Sequence, residues 1–357
     1  MKKLLFFFLL FCCAIAARGQ VWHDASSMHI FGKAVENTLT HYSRLPEDIH
    51  ASARKEIQRL GKNAAGLYVE FRTDSPSIHV RWTSLRKHTM PHMASVGSRG
   101  VDLYAHTDKG WRFVSCGRPD LDNEVTSRCI VKKMDAGYKH FRLYLSLYDG
   151  ITSLEIGTDP GSEFIPVDCD KREAPLVMYG SSILQGGCVS RPGIASTNII
   201  GRALGREVVN LGFSGNALLD PEVAELMARV ENPALFVLDN VPNDKPQLIL
   251  DKGEAFVKIL RDAHPEVPII MMEMAHYGHD FVSSSSYADV EARNAAQREI
   301  YDRLVAAGEK NIYFLCSDDL IGHDGEATVD GTHQTDLGQM RYAGFFLSFL
   351  EKNGINL

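Results

Sequence analysis

Between about Leu67 and Ile156 apolar and polar positions alternate in short runs: "GLYVEFRT", "SIHVRWTS", "GVDLYAHT", "WRFVSC", "HFRLYLSLYDG" and "TSLEIG". Gly, Asp, Pro and Lys separate them. A period of two buries one face of each strand and leaves the other wet, so this stretch predicts antiparallel strands and a small jelly-roll-like sandwich. The preceding segment, Ala25 to Lys62, predicts a helix near Glu47 to Leu60 and a strand or two.

The rhythm changes near Ala174. "PLVMYGSS", "EVVNLGFSG", "ALFVLDNV", "VPIIMMEMAH" and "NIYFLCSDD" are unbroken apolar runs, and "PEVAELMARV", "KGEAFVKILRDAH" and "SYADVEARNAAQREIYDRLVAAG" between them carry helical spacing. Fully apolar strands alternating with amphipathic helices predict a parallel sheet covered on both faces. The chain therefore divides into a sandwich domain over 20–165 and a doubly wound α/β domain with a five-stranded parallel sheet over 174–357. The turn-rich, charged segment "GTDPGSEFIPVDCDKREAP" forms the boundary. In such sheets, sites form at the carboxyl ends of the strands.

The first residues, "MKKLLFFFLLFCCAIAARGQ", join Lys2 and Lys3 to an apolar stretch and then to small residues. This is the pattern of a secretory signal over residues 1–19, cleaved after Ala16 or Gly19, and it predicts a secreted or periplasmic product without a stable membrane anchor. Phe11 before Cys12 argues against lipid attachment. Cleavage leaves Cys116, Cys129, Cys169, Cys188 and Cys316, an odd set without metal-ligand spacing. Cys116 and Cys129 could pair across a hairpin, although buried free thiols are the simpler reading.

The 357 residues are 45% hydrophobic with a formal net charge of −7, which offers no basic footprint for nucleic acid. A neutral or weakly charged small-molecule or glycan substrate suits this balance better, and no cofactor or metal is expected.

Polar residues cluster where the site should form. Gly180, Ser181 and Ser182 follow the first strand. Asn210, Gly212, Ser214, Gly215 and Asn216 follow the second, and Asp239, Asn240 and Asn243 the third. The late loop "VDGTHQTDLG" brings Asp330 and His333. An alcohol nucleophile needs a base, an acid to orient that base, and donors for the oxyanion. Gly180 permits a sharp turn that leaves Ser182 at a helix mouth, where N–H groups and the dipole favour negative charge, with Ser181 as the helix cap. Asp330 could orient His333 or spend its carboxylate on the N–H groups of its own turn.

"YGSSILQGG", "NLGFSGNA", "DNVPN" and "DGTH" resemble the four signature blocks of the SGNH hydrolases, the GDSL-type esterases, in their usual order. The upstream "RGVDLYAHTDKGWRFV" is similar to the Gly-x-Asp-Leu-Tyr domain that precedes some of these hydrolases in secreted bacterial proteins. The resemblance implies a flavodoxin-like SGNH domain. It makes Ser182 the nucleophile, His333 and Asp330 its partners, and the Ser182 and Gly215 backbone and the Asn243 amide the oxyanion donors. Two positions depart from the pattern: Ser181 stands where Asp is usual, and Val241-Pro242-Asn243 replaces Gly-x-Asn, which makes Asn240 an alternative donor.

The expected function is a secreted serine esterase removing small acyl groups, such as O-acetyl, from carbohydrate. The alternatives are a lipid esterase or thioesterase, and a noncatalytic glycan-binding protein. Of the remaining residues, His276 and His279 read as lining or loop residues rather than a metal pair, and Arg191 as a salt-bridge partner. Trp82, Trp111 and Tyr104 read as packing residues of the sandwich.

Overall fold

A computed structural model describes residues 19–168 and 173–357. The remainder of the predicted export signal and Cys169 lie outside the described residues.

The first part contains β1 (Val21–Asp24), β2 (Tyr68–Thr73), β3 (Ile78–Ser84), β4 (Val101–Thr107), β5 (Gly110–Gly117), β6 (Val125–Val131), β7 (Lys139–Tyr144), β8 (Ile151–Thr158) and β9 (Phe164–Pro166). They form two antiparallel sheets, ordered β1-β8-β3-β6 and β5-β4-β7-β2-β9. Ile78, Val80 and Trp82 on β3 share a buried core with Phe71, Leu103, Phe141 and Leu143 of the facing sheet. β9 falls inside the segment predicted as a boundary loop and pairs with β2. Cys116 and Cys129 are free thiols on strands of different sheets, so no hairpin joins them; Cys129 and Cys316 are exposed, and among the described cysteines only Cys188 is buried.

The second part contains β10 (Leu176–Gly180), β11 (Val208–Gly212), β12 (Leu235–Asp239), β13 (Ile269–Met272) and β14 (Ile312–Leu315), all parallel, in the order β11-β10-β12-β13-β14. Alternate β10 residues serve opposite faces. Leu176 and Met178 pack with α5 (Ser196–Leu204) and α9 (Asp336–Lys352), whereas Val177 and Tyr179 pack with α6 (Pro221–Ala228), α7 (Pro246–Ala263) and α8 (Ser284–Ala306). Two-sided burial explains why this strand reads as a continuous apolar run. The order reverses at β10, which puts a crevice above the ends of β10 and β12.

The predicted early helix is two short ones, α1 (Glu47–Ser52) and α2 (Lys55–Leu60), interrupted at Ala53 and Arg54. Their apolar residues Ile49, Ile57 and Leu60 belong to the same cluster as Val177 and Phe236 of the parallel sheet. These two helices therefore brace the α/β part, whereas β1 before them belongs to the sandwich. A short helix, α3 (Ser95–Arg99), leads into β4. Among the described residues no helix is long and apolar enough to cross a membrane.

Candidate active site

Gly180, Gly212 and Asp239 lie side by side at the carboxyl edge of the parallel sheet. A Cβ on Gly180 would come within 2.7 Å of the Asp239 carbonyl oxygen, so glycine is required where the chain leaves β10. Ser181 then caps α4 (Ser182–Gln185), its hydroxyl accepting the Ile183 N–H at 3.2 Å. Ser182 is the first residue of this helix and is 6% exposed. α4 is a single turn ended by left-handed Gly186, too short to build the macrodipole expected from the sequence. Individual N–H groups remain as the electropositive feature.

The Ser182 hydroxyl oxygen lies 2.9 Å from His333 Nε2. On the other side of the ring, His333 Nδ1 is 2.8 Å from Asp330 Oδ2. The second Asp330 oxygen accepts the His333 backbone N–H at 2.8 Å and the Thr332 N–H at 3.1 Å. Partial burial raises the Asp330 carboxyl, but hydrogen bonds from the His333 ring and these N–H groups outweigh it and hold its pKa at about 2. Asp330 is thus a fixed anion at neutral pH. With its Nδ1 proton held there, the ring presents a bare Nε2 able to take the serine proton.

Gly215 adopts a left-handed φ of 68° in the turn after β11. Among the described residues its N–H and that of Ser182 meet no acceptor. Asn243 uses its side-chain oxygen to accept the Ala217 N–H at 3.1 Å, which ties it to the turn bearing Gly215 and leaves its amide N–H₂ unengaged. Asn240 is different: it is fully buried and its amide donates to Asp244 at 2.6 Å. The geometry therefore selects Asn243 over Asn240 as the free donor, despite the missing glycine of the usual pattern.

Several supports had no signal in the sequence. Gln185 holds the turn between β11 and Gly215, accepting the Ser214 N–H at 2.9 Å while donating to the Leu147 carbonyl at 3.0 Å. The Tyr148 hydroxyl donates to the Ser182 carbonyl at 3.0 Å. Buried Arg44 donates to the Asn210 and Gly212 carbonyls, both at 2.9 Å, and stacks over Phe213. The His92 ring, from the segment between β3 and α3, is 5.6 Å from that of His333. Leu147, Tyr148 and His92 come from the sandwich side, and their distance in sequence from Ser182 hid them.

Arg191 forms the salt bridge that its default reading implied. It donates to Asp102 at 2.7 Å and to the Tyr104 hydroxyl at 2.6 Å, and Asp102 also accepts the Gly193 N–H at 2.8 Å. The Gly-x-Asp-Leu-Tyr stretch is thereby clamped to the segment that follows α4. His276 is bound to Asp280 and Glu291, and His279 to Ser286. Trp82 and Tyr104 are buried, and Trp111 lies under the Arg142 guanidinium.

A family model described as GDSL-like lipase/acylhydrolase matches residues 173–351. The chain belongs to this acylhydrolase family. A second model, the N-terminus of SGNH-hydrolase-type esterases, matches residues 20–164 of this acylhydrolase. Its solved relatives include a candidate GDSL-like lipase from Bacteroides ovatus ATCC 8483, 33% identical over 93% of this chain and 97% of that one, with a TM-score of 0.89. A salicylyl-acyltransferase from a tetracycline biosynthetic pathway shares the fold at 19% identity, covering 95% and 98% of the two chains, with a TM-score of 0.77. An acetyl xylan esterase from the rumen bacterium Butyrivibrio proteoclasticus does so at 14% identity, covering 95% and 100%, with a TM-score of 0.57. None of the curated proteins compared with the chain matches it.

Proposed function

We propose that this acylhydrolase is an exported serine esterase that removes small acyl groups, chiefly O-acetyl, from carbohydrate. The observation that carries the reading is the continuous chain Ser182–His333–Asp330, with bonds of 2.9 and 2.8 Å, beside the unengaged donors of Gly215 and Asn243. Ser182 attacks the ester carbonyl while His333 Nε2 takes its proton. The oxyanion rests on the Ser182 and Gly215 N–H groups and the Asn243 amide. His333 returns the proton to the leaving alcohol, then activates the water that releases the acid.

We favour a small acyl group. The pocket lined by Ile183, Pro242, Thr332 and Gln334, next to the site residues in the chain though lined by none of them, has a volume of about 20 Å³. That is room for about one water. Larger spaces are open grooves, one of about 370 Å³ by Tyr277, Phe281 and Tyr287 and one of about 470 Å³ beside Asn243, Leu218 and Leu248. Open grooves suit a bulky alcohol such as a glycan. The acetyl xylan esterase among the fold relatives is consistent with that substrate class.

Release of acetate from acetylated glycans, together with an acyl-chain-length series on a common chromogenic alcohol, tests the reading. Rates should fall from acetyl to octanoyl; a rise would point instead to a lipid esterase or thioesterase.

A further inference from the structure

Three side chains that no local sequence spacing connects meet at the candidate active site. One ligand atom each from His92, Cys188 and His333 lies within 4.8 Å of the others. Their loops are latched together. The Cys188 N–H donates to the Gln334 carbonyl at 3.1 Å, next to His333, and Cys188 packs in one apolar cluster with Met93, the neighbour of His92. Two imidazoles and a thiol are a donor set for a borderline-soft divalent ion, and zinc binds these ligands at about 2.0–2.3 Å, with water in the fourth position of an open site. Tetrahedral geometry at those bond lengths needs the donors about 3.3–3.8 Å apart, so only side-chain adjustments are required.

We propose that His92, Cys188 and His333 form an inhibitory site for Zn²⁺ or a similar thiophilic cation. The consequence for activity rests on the esterase reading given above; the binding itself does not. His333 has both ring nitrogens committed, Nε2 to Ser182 and Nδ1 to Asp330. Whichever nitrogen turns to the ion, one of those bonds is given up, and the serine loses either its base or that base's orientation. Cys188 is a free thiol, so the ion displaces its proton to solvent as it binds. The sandwich domain, through His92, would then regulate the hydrolase site rather than only brace it.

The test is titration of the full chain with Zn²⁺ by calorimetry, and with Co²⁺ followed by its thiolate charge-transfer absorption, in parallel with Zn²⁺ inhibition of ester hydrolysis reversed by chelator. Wild type should bind one equivalent, show the thiolate band and lose activity together. Cys188→Ala should keep metal-free hydrolysis, and both His92→Ala and Cys188→Ala should lose metal affinity and zinc sensitivity, each measured relative to the variant's own metal-free rate, by at least about 10- to 100-fold. Absence of binding, or equal inhibition of wild type and both variants, overturns the proposal. Cobalt binding with the thiolate band in a chain that hydrolyses no ester upholds the site and removes the esterase reading; hydrolysis without zinc binding does the reverse.

Discussion

Asp330 and His333 are joined twice: one carboxylate oxygen meets the ring Nδ1 at 2.8 Å, and the other accepts the His333 backbone N–H at 2.8 Å. The alternative uses of Asp330 open in the sequence therefore coexist, one per oxygen. The same residue fixes both the tautomer of the ring and the backbone that carries it. Asp330→Asn should lower kcat by on the order of 10⁴ with little change in KM, since an amide can stabilise the wrong tautomer. Steady-state kinetics check this. A loss of only a few-fold would mean that the ring is oriented by other groups.

Asn243 and Asn240 separate function from stability. Asn243→Ala should reduce kcat by about 10²–10³ by removing an oxyanion donor. Asn240→Ala should instead lower Tm, because Asp244 loses a buried partner at 2.6 Å, while kcat stays within a few-fold. Kinetics and calorimetry on the pair decide; the reverse pattern would transfer the donor role to Asn240.

Arg191 is predicted to act on stability through Asp102, whose side chain is fully buried. Arg191→Met leaves that carboxylate without its cation, a change expected to cost about 3–5 kcal/mol. Denaturant unfolding measures it. An unchanged midpoint would show that the clamp contributes nothing between the two parts of the chain.

Burial raises Asp239 from 3.8 to about 7, even though the Tyr342 hydroxyl donates to it and opposes the shift. The native state then holds a proton that the unfolded chain has released. Its contribution is fully present below about pH 4 and is lost as pH rises toward 7, with a slope of at most about 1.4 kcal/mol per pH unit. Asp239→Asn should abolish that slope, so Tm measured against pH should move in the variant's favour between pH 4 and 7. Parallel curves would contradict the assignment.

The parallel sheet was legible because strands buried on both faces must be apolar throughout, as Leu176–Gly180 is. Ser182, His333, Gly215 and Asn243 stood out as candidates because polar groups follow the apolar strands and fill the last loop, and the resemblance to the four SGNH blocks gave each its expected role. What supports them was not legible. Gln185, Tyr148 and Arg44 act through carbonyl oxygens and backbone N–H groups, which every sequence supplies. α1 and α2 gave a helical pattern but no indication that Ile49 and Ile57 would pack on the parallel sheet, since burial patterns specify that a face is covered and not by what.

The most direct test of Ser182 as the nucleophile is peptide mass mapping of the wild-type chain after inactivation by a fluorophosphonate. The account predicts a single adduct on Ser182, with hydrolysis lost in proportion to labelling. An unlabelled Ser182 in a fully inactivated enzyme would contradict it.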